Sequence, residues 1–442
     1  MENFTAFGSV PWGSWKSSSV SVRINEGVKS IGNFAFYNAV SLTSVTILEG
    51  LISIGEGAFR SCSSLPSIKI PSTVSFSGEG CFLNCKNMEA FEVEQSNPTF
   101  QSVGGFLSDM RSHTLLYNLR KKEGPCVVPS SVTTIQREAF LFCNGLTSIP
   151  LANVVSIESK AFYYCEHLQT VTIESNLTFI GKESFCGCAR LTNFTLPSSV
   201  STIENEAFFG CESLTTITIP MSVESIGHGV FARCQGLQSI KVDSSNTNYL
   251  SVDDVLVDRI NNSLVQYPCG KKENSGSYII PSFITTIGRS CFEGCHNLKS
   301  VFVPENVTRI GDGAFEFCWI LTSVSIPSGV KSIEPYTFYE CEGLSSIVIP
   351  QNVTSIGNYA FRSCDQLKTV VIPSSVSFIG DFAFRLCVGL KEVSCLGSFD
   401  PSLNSLVVFL DCKNLELICV SRNYNSTVFC GENISCRSDS CD

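Results

Sequence analysis

Apolar and polar positions repeat along nearly the whole chain with a period of 23 residues. The isoleucine of the phrase Ser-Ile-Gly marks the phase. It falls at Ile31 and Ile54, is replaced by Ser77, and resumes at Ile135, Ile157, Ile180, Ile203 and Ile226. A second run reads Ile287, Ile310, Ile333, Ile356 and Ile379. Each copy has the form I-P-S-x-V-x-S-I-G-x-x-A-F-x-x-C-x-x-L-x-S-V-x-I. The V-x-I segment is β-branched and alternates apolar with polar, which predicts a short strand. V-x-S-I, after the Pro-Ser turn, predicts a second short strand on the opposite side of the coil. Between them, A-F-x-x-C-x-x-L spaces its apolar residues near three, which predicts a short helical or 3-10 turn. One copy cannot bury its own apolar face, whereas stacked copies can. The fold class expected is therefore a repeat solenoid with short parallel β-strands, about fourteen coils long.

Two segments break the period and resemble each other: SVGGFLSDMRSHTLLYN (102–118) and SVDDVLVDRINNSLVQY (251–267). Each predicts a β-hairpin, turning near Arg111 and near Asn261, that interrupts the stack and rejoins it. The expected organisation is an N-terminal cap (1–20), repeats (21–93), a hairpin insertion (94–126), repeats (127–242), a second hairpin insertion (243–277), repeats (278–396), and a degenerate repeat with a cysteine-containing tail (397–442). From Ser421 onward the tail reads as polar and disordered.

Composition narrows the functional classes. Charged residues make up only 16% of the chain and the net charge is −10, with no long basic run. Nucleic acid and anionic membranes both select a cationic footprint and are disfavoured as partners. No apolar stretch approaches the roughly 18–20 residues of a transmembrane helix. The first 20 residues show neither a basic n-region nor an apolar h-region, so no signal peptide is visible. No phosphate loop, nucleophile elbow or HExxH occurs, and the four histidines do not pair with a nucleophile. No catalytic residue, cofactor or metal is expected.

Phenylalanine and cysteine are abundant, at 32 and 23 residues. The Phe of the Ala-Phe pair recurs in every full coil, among them Phe140, Phe208 and Phe361, and reads as an interior spine. A cysteine three residues later recurs thirteen times, from Cys62 through Cys211, Cys295 and Cys364 to Cys412. The first coil has Ala39 there, and a ligand or disulfide partner is not replaceable by Ala. The periodic cysteines therefore read as small buried filling. Cys419, Cys430, Cys436 and Cys441 lie off the repeat and suit a disulfide-stapled cap in an oxidising compartment.

The phrase IGxxAFxxCxxLxSVxIP resembles the repeat of the BspA-like leucine-rich repeat family, over about nine tenths of the chain. That resemblance implies a curved leucine-rich-repeat solenoid of the kind found in surface antigens of protists and bacteria. It also implies a non-enzymatic adhesion or protein-recognition role, with protein partners (host extracellular-matrix proteins among them) or glycans. A cell-surface or secreted location follows from the resemblance. A cytoplasmic leucine-rich-repeat scaffold is the alternative, favoured by the absent signal peptide and the many thiols.

If the V-x-I strands form one sheet, their middle residues face solvent. The central coils then present a hydroxyl ladder of Thr172, Thr195 and Thr218 ending in Lys241. The C-terminal coils present Phe302, Val348 and Val371, which are better suited to anchoring a protein partner. A second candidate is the basic pair in each insertion, Lys121 and Lys122 in one, Lys271 and Lys272 in the other.

Overall fold

The computed structural model describes residues 20–119, 126–272, 276–402 and 407–438. The chain forms two compact units. One comprises residues 1–211 with 224–226, the other 212–223 with 227–442, so the division falls inside the second block of repeats.

Each unit is a leucine-rich-repeat parallel β-solenoid, and the chain makes about 17 turns in all. Most coils contribute to two rows of strands. In the first unit the long row includes Val20–Ile24 beside Leu42–Ile47, Ser67–Ile70 beside Ala90–Val93, and Ser148–Leu151 beside Thr170–Ile173, all parallel. The short row pairs two-residue strands ending in Ile one coil apart, as Ile31 with Ile54 and Ile157 with Ile180. Equivalent rows in the second unit include Tyr278 beside Val301 and Ile356 beside Ile379.

The coil count exceeds fourteen because the insertions and the tail join the stack. Each insertion contains the expected hairpin and one further antiparallel strand before it, making a three-stranded meander: Phe100–Val103, Phe106–Asp109 and Thr114–Asn118 in one unit, Tyr249–Val252, Val255–Asp258 and Ser263–Gln266 in the other. Its third strand pairs parallel with the next short strand, Leu115 opposite Ile135 and Leu264 opposite Ile287. The stack also continues past the second insertion, since the Arg233 amide donates directly to the Glu293 carbonyl at 3.1 Å. In the tail, Leu417–Ser421 and Cys436–Ser438 extend the long row in parallel. The tail is thus folded through Ser438, held by a Cys419–Cys436 disulfide.

One buried asparagine fixes the start of each meander. Asn246 donates to the carbonyls of Pro220 (2.9 Å) and Val223 (3.1 Å), and its Oδ1 accepts from the amides of Asn248 (2.9 Å) and Tyr249 (2.8 Å). Asn97 makes the same four bonds, to Pro71, Val74, Thr99 and Phe100.

The expected helical turn is absent: the described residues contain no helix. Two residues per coil adopt positive φ, four apart, such as Phe34 and Asn38 or Tyr359 and Ser363. A left-handed residue every fourth position ends any right-handed helix. The chain instead makes successive tight turns, Ala35 N–H to Gly32 O and Ala39 N–H to Phe36 O. Alternate amides are left to bond between coils, Phe34 to Glu56 O, Phe36 to Ala58 O and Asn38 to Arg60 O, at 2.7–2.8 Å. All of these point toward the following coil.

The Phe spine fills each core. In the first unit Phe140, Phe162, Phe185 and Phe208 stack at 4.7–5.3 Å. In the second, Phe292, Phe315, Phe338, Phe361, Phe384 and Phe409 stack at 4.9–5.5 Å. Cys211 and Cys364 are fully buried beside it. The ladder thiols also donate, Cys364 Sγ to Phe338 O at 3.2 Å and Cys211 Sγ to Phe185 O at 3.3 Å. Filling is therefore joined by a weak hydrogen bond to the preceding coil. Cys295 departs from the filling role, because the return of the second insertion brings Cys269 against it and the two form a disulfide.

Candidate binding face

The long strands bury the first and third residue of V-x-I and turn the middle one outward, as the period of two requires. Thr172 and Thr195 are exposed on the first unit, and on the second Thr218 and Lys241 are exposed register neighbours. Further along the second unit the outward column becomes apolar. Ile279 stands beside Phe302 in register, at 72% and 62% exposed, and Val348 and Val371 are 80% and 43% exposed.

Ser325 separates Phe302 from Val348. Its hydroxyl bridges to the preceding strand, accepting from Val303 N–H at 3.3 Å and donating to Val303 O at 3.4 Å. The small side chain leaves a groove of about 450 Å³ between the two large ones, with Ser300, Ser323 and Ser346 along one side. Apolar side chains together with serine hydroxyls suit an apolar side chain whose backbone needs hydrogen-bond partners. Ile279 was not among the residues expected on this face. Its signal lay in Tyr-Ile-Ile-Pro (278–281), which holds the same phase as Val-Phe-Val-Pro (301–304).

The basic pairs fare differently. Lys271 is committed internally, with Nζ 2.8 Å from Asp253 and over the Tyr278 ring, and only 11% of its side chain is exposed. Lys272 is exposed. Lys121 and Lys122 lie outside the described residues. Among the described residues no group of three or more His, Cys, Asp or Glu is placed to hold a metal ion. No helix of these residues is long and apolar enough to cross a membrane.

A polar cluster lies in the turns of the second unit. Arg233 Nε is 2.8 Å from Glu293 Oε1, and its guanidinium lies over the Phe317 ring. Glu316 is 3.7 Å from the same guanidinium, yet burial, reinforced by the Glu293 charge, pushes its carboxyl up to about 8. Burial, followed by the Arg233 charge, lowers the basicity of His296, which stacks on Trp319 at 3.8 Å. Ion-paired and stacked in this way, the cluster joins coils.

A family profile described as BspA type leucine rich repeat region, in six copies, matches residues 14–104, 124–238, 267–391 and 331–434. The chain belongs to the BspA type leucine-rich repeat family. Among solved structures, this BspA type chain is similar to a leucine rich cell surface protein from Faecalibacterium prausnitzii A2-165. The two are 30% identical, with 86% of this chain and 88% of that one covered at a TM-score of 0.60. It is also similar to the pneumococcal vaccine antigen PcpA (18% identical, 93% and 79% covered, TM-score 0.46). A leucine-rich repeat protein from Bacteroides ovatus ATCC 8483 matches at 24% identity, with 76% and 97% covered and a TM-score of 0.35. No protein of curated function matches at a significant level.

Proposed function

We propose that this chain is a non-enzymatic recognition module of adhesin type. It binds a protein partner, of the kind found in host extracellular matrix, through the long-strand face of its second unit. The observation that carries this reading is the exposed apolar column Ile279, Phe302, Val348 and Val371 with its groove at Ser325. Soluble folds rarely leave large apolar side chains contiguous in water without a binding role. Membership of the BspA type family supports a protein-interaction role. The description of the Faecalibacterium protein as a cell surface protein supports a surface location.

Immobilised protein, presented with purified matrix proteins in a biosensor, tests the proposal. Burying Phe302 and Val348 stabilises a complex by about 1.5–3 kcal/mol each. The Phe302→Asp/Val348→Asp double variant is therefore expected to weaken binding by well over about tenfold. Thr172→Asp, on the other unit, is expected to leave it unchanged. Equal binding by the double variant and the parent overturns the assignment of the face, and binding to no matrix protein overturns the partner class.

A further inference from the structure

The last rung of the cysteine ladder differs from the others. Of the free cysteines among the described residues, Cys412 alone is partly exposed, the others being buried. Phe409 and Cys412 follow Phe384 and Cys387 by 25 residues rather than 23, and beyond Cys412 the ladder ends. Cys412 lines a cavity of about 170 Å³ together with Phe409, Glu416, Glu432 and Ser435. Its ladder neighbour in the preceding coil is the fully buried Cys387, and the two coils are adjacent, with Phe384 stacked on Phe409 at 5.4 Å.

We propose that Cys412 is an oxidative modification site for hydrogen peroxide, with Cys387 as its resolving thiol. The Cys412 sulfur attacks one peroxide oxygen and the O–O bond breaks. The hydroxide released takes up the thiol proton as water, leaving a sulfenic acid. The Cys387 sulfur then attacks the Cys412 sulfur. An S–S bond forms, the S–O bond breaks, and the hydroxyl departs as water with the Cys387 proton. Overall two thiols and one peroxide give one disulfide and two waters.

Three features favour this pair. The cavity has room for several waters at about 30 Å³ each, hence for peroxide. Neighbouring coils hold equivalent Cα atoms near the strand spacing of about 4.8 Å, within the range a disulfide accepts. Oxidation also strands no carbonyl. Cys387 and Cys412 donate their thiol protons to Phe361 O and Phe384 O, both at 3.0 Å. Those carbonyls keep amide donors, from Cys364 and Cys387 respectively.

The native full chain is exposed to hydrogen peroxide, denatured, alkylated and mapped by mass spectrometry. A Cys387–Cys412 cross-linked peptide, two hydrogens lighter than the reduced pair, is expected at least about tenfold faster than loss of any other free thiol. In Cys387→Ser, dimedone is expected to trap the sulfenic acid at Cys412. Oxidation of other cysteines at the same rate, or absence of the cross-link while thiols are lost elsewhere, overturns the proposal. The measurement on unsubstituted protein stands whether or not the variant folds.

Discussion

Replacing Asn246 by Ala removes one small side chain and disconnects the start of an entire meander. Asn246 is 1% exposed, and its amide makes two donor and two acceptor hydrogen bonds at 2.8–3.1 Å, all to backbone. A buried hydrogen bond contributes about 1 kcal/mol net. Four of them give a loss of about 4 kcal/mol, because no water replaces the amide at Pro220 O and Val223 O. Asn246→Asp separates the two halves of the arrangement: the acceptor bonds survive, while a carboxylate replaces the donor facing two carbonyl oxygens. Burying it there costs at least as much as the lost bonds, so Asp is expected to match Ala or exceed it. Urea unfolding gives the free energies, and hydrogen exchange locates the damage, expected across residues 246–266 and the Pro220–Val223 turn. A loss below about 1 kcal/mol for Ala, or Asp better tolerated than Ala, refutes the reasoning by showing that water already shares these bonds.

Two further outcomes follow from the core and the polar cluster. Phe361→Ala empties a ring position between Phe338 (5.3 Å) and Phe384 (5.0 Å) and is expected to cost about 3–5 kcal/mol. Because each coil packs mainly on its neighbours, hydrogen exchange should show lost protection over residues 338–409 before the first unit is affected. Glu316 titrates near 8 in the folded state against an ordinary 4.5, so between those values the folded chain holds a proton that the unfolded chain has released. The Glu316 contribution to stability is then most favourable below about pH 4.5 and falls as pH rises toward 8, by up to about 1.4 kcal/mol per unit. Glu316→Gln is expected to flatten this slope and to stabilise the protein at pH 8–9, as read by thermal unfolding across the range.

What the amino-acid sequence disclosed was what repeats. The Phe spine and the paired Ser-Ile strands recur in phase, and the period alone places Phe302 and Val348 outward. The turn was misread because apolar spacing near three is shared by a helix and by two consecutive tight turns. The deciding property is backbone hand at two positions per coil. Gly57, Gly80, Asn38 and Asn84 hint at it, but Tyr336, Tyr359 and Phe382 occupy the same left-handed positions and conceal the hint. Non-repeating, non-local features were out of reach. Cys269 meets Cys295 only because of where the insertion returns, and Cys436–Ser438 becomes a strand because the Cys419 disulfide and Arg437, bonded to the Tyr424 carbonyl, hold it in place.

The amides at the left-handed turns all hand their hydrogen bonds forward to the next coil, while the ladder thiols donate back to the preceding one, and this gives the stack a polarity. A cut anywhere along it leaves two unlike surfaces, one offering only carbonyls at these positions and the other only amides. Such ends cannot mate head to head, whereas any coil can be excised or duplicated whole, since its two faces match its neighbours' by construction. Change by complete 23-residue increments preserves every rung, whereas a shift by a single residue breaks the ladder and turns each strand inside out. The interaction face can therefore be lengthened, shortened or re-lettered one position per coil while the scaffold beneath it stays the same.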